Sequence, residues 1–388
     1  MGPYERINLS PSDAEAAIAR SYEPSIMLAL TTPRKSRASW RQSVSTWTSD
    51  NAWAVVILVA YGLGAYALGR MTDLAPLFDL WRAIHRGALL AVVAVSVCVL
   101  LRLARIALNE RPAKPLSRIA AEFAPGSPMV RRLINGAVGV MFFVVLGSIF
   151  TWVKQKIPEL RPFDWDITFM AWDRAIHGGI DPWRILHPVL GYPVVTRAID
   201  IVYGAWLPMM YVVLFWQAFS TRDPRLRSQF FVAYAIVWVG LGNILATAMS
   251  SAGPCFYGQV TGLEDPFVPL TSYLNDINAS LRTWTIPAQE MLWRQYTGHE
   301  LAVGAGISAM PSVHVATAFL FVLLGGRTNR RLTIAFGVFA FLILIGSVHL
   351  GWHYAIDGYF AIAGTALAWW VAGRCVGARP GTSRSRTA

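Results

Sequence analysis

The sequence predicts an all-α integral membrane protein, a polytopic bundle of about eight transmembrane helices. Three observations carry that expectation. The chain has 388 residues of which 55% are hydrophobic and only 14% charged, too apolar for one water-soluble core of ordinary proportions. Apolar windows of about 20 residues, long enough to cross roughly 30 Å of hydrocarbon, recur along it. The basic residues collect in short loops between those windows instead of forming one patch, a pattern set by membrane topology and not by nucleic acid.

Taken in order, residues 1–50 are rich in Ser, Thr and Arg and read as a basic, largely disordered tail. One short helix is expected in it, opened by Ser10-Pro11 and running through "DAEAAIARSY". Because this long polar stretch precedes the first apolar run, that run reads as an ordinary span and not as a cleaved signal. The eight spans fall at about 52–70, 87–107, 133–152, 194–219, 229–250, 306–325, 332–350 and 354–374. They divide the chain into two accessory spans with their following loop (51–132), a six-helix membrane domain (133–375) and a disordered tail (376–388). Cys98, Cys255 and Cys375 lie far apart and suggest neither a disulfide nor a thiolate metal site.

Eight spans put both termini on one side, with the loops at 102–132, 221–228 and 326–331. That side carries 23 of the 34 basic and 8 of the 22 acidic residues. The termini are therefore expected in the cytoplasm, and the long loops at 153–193 and 251–305 outside it. The preference for Arg over Lys hints at a bacterial plasma membrane.

Three chemically rich pieces fall on the outer side. "KQKIPELRP" places Lys154 and Arg161-Pro162 after the third span, "AMPSVH" opens the sixth with Pro311, Ser312 and His314, and "HLGWHYAID" sets His353 and Asp357 four residues apart at the seventh turn. Lys154 and Arg161 offer positive charge and forked donors to phosphate. Pro311 in a first helical turn would leave the amide of Ser312 pointing at an anion. Asp357, on one helical face with His353, would fix its tautomer and free the other ring nitrogen to attack phosphorus. His314 would protonate the leaving oxygen. No cofactor is required by this scheme. Each piece alone also has a structural reading, as interfacial anchor, helix cap or satisfied polar group. His349 and His353 form an HxxxH register, but no third metal ligand accompanies them, so no metal site is expected.

Lys-x6-Arg-Pro, then Pro-Ser-x-His, then His-x3-Asp resembles the three-part signature of the type 2 phosphatidic acid phosphatase (PAP2) superfamily of membrane lipid phosphatases and phosphotransferases. The resemblance covers about residues 150–375 and implies a PAP2-like core in the six-helix domain. It makes His353 the nucleophile that becomes phosphorylated, Asp357 its orienting partner, His314 the general acid, and Lys154, Arg161 and Ser312 the phosphate-binding groups. It implies a membrane lipid substrate. The phosphatase form of the third piece has an Arg six residues before the nucleophile, where this chain has Ser347. In lacking that Arg and in the run "HYAID" at 353–357, the chain resembles the inositol-phosphorylceramide synthases and sphingomyelin synthases. That branch implies transfer of a phospho-headgroup to a polyol or lipid alcohol.

Lys156 and His349 stand as replacements for the missing guanidinium. Asp166 and Asp173, in "RPFDWDITFMAWDRAIHGGIDPW", are candidates to hold hydroxyl groups of a headgroup or acceptor, with helix capping the favoured alternative. Asp200 and Tyr203 are further candidates, because an ionisable group within a span is costly and usually functional. "SAGPCFYG" (251–258) is broken by Gly and Pro and is expected to shape a cavity wall. Two readings compete with the enzyme: a lipid-binding or lipid-transporting protein on a degenerate scaffold, motivated by the missing Arg, and a generic transporter, disfavoured because the ionisable groups gather at one face and not at the midplane.

Overall fold

The computed structural model describes residues 35–72, 78–298 and 306–377, with side chains from residue 51. The helix expected after Ser10 and the tail beyond Gly377 lie outside the described residues. The chain forms two compact units, Met1–Ser49 and Asp50–Ala388. Within the first, residues 35–49 are helical; everything below concerns the second.

Among the described residues the secondary structure is helical throughout, with no strand. Seven helices are long and apolar enough to cross a membrane: Asn51–Met71 (α1), Leu80–Glu110 (α2), Pro128–Leu160 (α4), Pro193–Ala218, Pro224–Ala248 (α9), Arg330–His349 (α14) and Ala355–Gly377 (α15). The short helix Pro115–Glu122 (α3) separates α2 from α4. Asp166–Ile176 (α5) and Pro182–Leu190 (α6) follow α4.

Two expected spans differ in detail, each for a backbone reason. The fourth is divided into Pro193–Gly204 (α7) and Trp206–Ala218 (α8). Pro208 has no N–H to donate to the Gly204 carbonyl one turn earlier, so the ladder opens there. The sixth, expected over 306–325, is a 14-residue helix, Val313–Gly326 (α13), preceded by irregular chain. Gly306 adopts φ +107°, a region that disfavours any side chain. Pro311 lacks an N–H and lies before the helix, not in its first turn; Ser312 is the N-cap. Irregular backbone at membrane depth needs protein partners. It finds them in Ser251, whose carbonyl accepts from Ala309 N (2.9 Å) and whose hydroxyl accepts from Met310 N (3.2 Å).

The outer loops add Tyr257–Thr261 (α10), Val268–Leu281 (α11) and Thr285–Thr297 (α12). The core is built by α4, α8, α9, α13 and α15, with α14 packed on α13 and α7. Helix α4 meets α8 closely enough that a Cβ at Gly139 would lie 2.7 Å from the Ala218 Cβ. The second span is the least covered: 11% of its apolar window is buried, against 56% for α4 and α9. Polar ties fasten α1 to the core: Asn51 donates to Asn135 Oδ1 (2.9 Å) and the Tyr61 hydroxyl to Asn243 Oδ1. Arg227, 1% exposed, donates to Asn51 Oδ1 (3.0 Å), to the Asn135 carbonyl (2.7 Å) and to the Ala218 carbonyl (3.3 Å). Its guanidinium thus has acceptors from α1, α4 and α8, which a buried charge requires.

Candidate active site

The turn between α14 and α15 carries the two residues singled out for nucleophilic chemistry. Its reversal is made at Gly351, φ +72°, and the Ser347 carbonyl accepts from both Trp352 N (2.9 Å) and His353 N (3.1 Å). His353 therefore precedes α15 instead of sharing a helical face with Asp357. The pair meets another way. Asp357 is the third residue of α15, and its Oδ2 reaches back to Tyr354 N (3.1 Å) as the acidic member of a capping box does, taking His353 Nδ1 at 3.2 Å on the same oxygen. Its Oδ1 has no partner.

Two more carboxylates hold this turn. Asp173 accepts from Ala355 N (2.7 Å) and Ile356 N (2.8 Å), satisfying the first amides of α15. Asp166 accepts from the Tyr354 hydroxyl (2.9 Å) and from Ala252 N and Gly253 N (2.8 Å each). Both are buried clamps on the His353 segment and not free headgroup ligands. Burial pushes the Asp173 carboxyl up to about 6 against the pull of its two amides, and raises Asp166 likewise. The 250–256 segment is the hub. Besides Asp166 and the 309–310 backbone, it reaches Gly351, whose carbonyl accepts from Cys255 N (3.0 Å). A Cβ at Gly253, φ +98°, would lie 2.7 Å from the Trp352 carbonyl oxygen.

His314, in the first turn of α13, faces His353 with ring centroids 6.3 Å apart. Its ring is stacked on Tyr203 (5.0 Å, 14°) and packed against Trp206 (4.0 Å), whose indole N–H donates to the His314 carbonyl (3.0 Å). Lys154 lies close enough for its charge to act on both histidines. Gly306 packs on it; a Cβ there would sit 3.1 Å from Lys154 Cγ. Burial, with the Lys154 charge in support and the Ala309 carbonyl opposing, pushes His353 down to about 3. The ring is thus neutral at physiological pH, the form a nucleophile needs. A cavity of about 10 Å³, the size of one water, adjoins His353 and is lined also by Asp173, Trp183, Leu270 and Tyr354.

A family profile described as PAP2 superfamily matches residues 167–373, more than half of the chain. The chain belongs to the PAP2 superfamily. With its apolar helices this makes it an integral multi-pass membrane protein. PAP2 membership brings phosphatase or phosphotransferase chemistry on lipid phosphates as a class. No curated protein and no solved structure matches the chain. The matched PAP2 region holds Ser312, His314, His353 and Asp357 but begins after Lys154 and Arg161.

Several residues expected at the PAP2 centre are engaged elsewhere. Arg161 donates to Asp164 (3.0 Å) and to the Ala248 carbonyl (2.6 Å). Lys156 pairs with Glu159 (2.7 Å). Ser312 is fully buried; its amide donates to the Asp357 carbonyl (3.3 Å) and its hydroxyl caps Val315 N (3.4 Å), so that amide is not left pointing at an anion. His349 turns away from His353 into a separate polar cluster, with Nε2 2.9 Å from Thr196 Oγ1, itself 2.7 Å from the Tyr273 hydroxyl. Neither Lys156 nor His349 stands in for a guanidinium at Ser347. Asp200 accepts from Trp284 N (3.0 Å), Thr285 N (3.0 Å), Thr285 Oγ1 (2.8 Å) and Arg197 (2.5 Å). It seats α12, from which Gln289 donates to the Leu350 carbonyl beside the His353 turn (3.1 Å). Among the described residues no group of three or more His, Cys, Asp or Glu side chains is disposed to hold a metal. Trp206, Ser251, Trp352 and Tyr354 were not singled out by sequence, where each reads as an ordinary aromatic or serine of a span or loop.

Proposed function

We propose that the chain is a lipid phosphotransferase working through a phosphohistidine at His353 on the extracytoplasmic face of the membrane. One observation carries this: a neutral His353, oriented by Asp357, faces His314 across 6.3 Å, with the Lys154 charge reaching both. The His353 ring nitrogen not bonded to Asp357 donates its lone pair to phosphorus. The bond from phosphorus to the lipid alkoxide breaks, and His314, which takes up a proton beside the bound anionic phosphate, gives that proton to the leaving oxygen. An acceptor hydroxyl then attacks the phosphohistidine, passing its proton to His314, while the P–N electron pair returns to His353. Lys154 offsets the charge that develops on the phosphoryl oxygens. The acceptor is a polyol or lipid alcohol, in keeping with "HYAID" and with Ser347 in place of an Arg.

The test is trapping of a labelled phosphoryl group with an alkaline detergent quench, with His353→Ala and His314→Ala as partners. Purified wild type should form a base-stable, acid-labile phosphoprotein that His353→Ala lacks, and His314→Ala should slow its formation. Product yield should rise with added polyol or lipid alcohol. A rate that is greatest in water alone, with no transfer product, makes the protein a lipid phosphatase, and full turnover in both variants would falsify the mechanism.

A further inference from the structure

Around the two facing histidines, two neutral donors are left without a partner among the described residues. Tyr203 is 7% exposed, and its hydroxyl has no hydrogen-bond partner; the Trp352 indole N–H is likewise buried and unpaired. The two belong to one stack, since the Tyr203 ring lies parallel to His314 (5.0 Å, 14°) and to Trp352 (6.4 Å, 12°). The Tyr203 hydroxyl is within electrostatic reach of Asp357, the partner of His353. The ring has room there because residue 346 is Gly: a Cβ would lie 3.3 Å from Tyr203 Cδ2 and 3.1 Å from Ile199 Cγ2. An unsatisfied hydroxyl so deeply buried is costly, a penalty that a bound acceptor removes.

The cations divide differently. Lys154 acts on both histidines, while Arg161 is committed to Asp164 and Lys156 to Glu159. Lys154 and the protonated His314, set against the Asp357 carboxylate and joined by two neutral donors, make a cradle of net charge near +1. A phosphodiester carries one negative charge at neutral pH, whereas a phosphomonoester carries nearly two. An unmatched second charge in a buried site is costly.

Resting on the phosphotransferase reading above, we propose that the Tyr203 hydroxyl, seconded by the Trp352 indole N–H, donates directly to the phosphoryl oxygens of the substrate, and that this weakly cationic donor set selects a lipid phosphodiester over a lipid phosphomonoester. The reacting step is the one already written, with diacylglycerol as the departing alcohol and its oxygen protonated by His314.

Phosphatidylmethanol and phosphatidic acid of identical acyl chains test this, because both release diacylglycerol and differ only by the methyl group that esterifies the phosphate. Single-turnover release from each is measured with purified full-length protein in mixed micelles. Wild type should favour the diester at least tenfold in kcat/KM. Tyr203→Phe keeps the stack and removes one oxygen; it should lower diester release by about tenfold to hundredfold and weaken inhibition by vanadate in parallel, with the thermal unfolding temperature unchanged. Trp352→Phe should show a smaller loss of the same kind. Faster release from phosphatidic acid in wild type overturns the proposal, as do Tyr203→Phe and Trp352→Phe rates within twofold of wild type. Should Tyr203→Phe fail to fold, the wild-type ratio and Trp352→Phe decide. His353→Ala is the separate control: retained release in that variant defeats the phosphotransferase reading itself, whereas its loss alongside a normal Tyr203→Phe defeats only the donor assignment.

Discussion

His353 is held without a proton far below the pH at which an ordinary imidazole gains one, since burial and the nearby Lys154 push it down to about 3. In the unfolded chain a histidine titrates near 6.5. Between pH 6.5 and 3 the unfolded state therefore binds the extra proton, and stability falls as the solution is acidified through that window, by up to about 1.4 kcal/mol per pH unit for this one group. His353→Gln should flatten the acid limb of a melting-temperature profile in detergent by one proton; an unchanged limb refutes burial of the neutral ring. Asp357→Asn bears on the other half of the pair. The amide keeps the shape but loses the charge that supports a cationic or phosphorylated imidazole, so turnover should drop by about 10²-fold to 10⁴-fold with little loss of fold. At this scale the sequence made His314, His353 and Asp357 legible, because their spacing is local. The work of Asp166 and Asp173 was hidden: their partners are amides and a hydroxyl more than eighty residues away, and no periodicity encodes such contacts.

Helix starts decide where the reacting side chains sit. The first amides of α15 are capped by Asp173 and the preceding amide by Asp357, so one helix terminus fixes His353 from two sides. Asp173→Ala should remove both cap bonds, cost about 1–2 kcal/mol by thermal or denaturant unfolding, and depress turnover without changing lipid affinity. Asp173→Asn, which retains one acceptor oxygen, should recover part of both losses. A stable Asp173→Ala protein with normal turnover removes the clamp from the mechanism. Span existence was readable in hydrophobic length, but element limits were not. The break at Ala205 and the late start of α13 follow from Pro208, Gly306 and Pro311, and an apolar window counts these residues as neutral or apolar. Ser312 shows the same limit: Pro-Ser announced a helix start correctly, while the engagement of its amide by the Asp357 carbonyl depends on a helix some forty residues later.

Across the whole molecule, charge asymmetry argues for a sidedness that helix geometry alone leaves open. The 23 basic residues on the side of the termini outnumber the 8 acidic ones, whereas the side holding α5, α6 and α10 to α12 has 11 basic and 14 acidic residues. Inserting the bundle the other way would carry the basic loops across the membrane, against the bias that orients polytopic chains. The site assembled by α5, the 250–256 hub and the turns before α13 and α15 would then open outside the cytoplasm. Glu264 and Arg327 are exposed, and the charge bias assigns them to opposite sides of the membrane. With Cys375 replaced by Ser, Glu264→Cys should react with a membrane-impermeant maleimide in intact cells, and Arg327→Cys should react only after the membrane is opened. The reverse pattern would invert the topology and place the phosphoryl-transfer site in the cytoplasm, where its lipid and acceptor would have to be drawn from the inner leaflet.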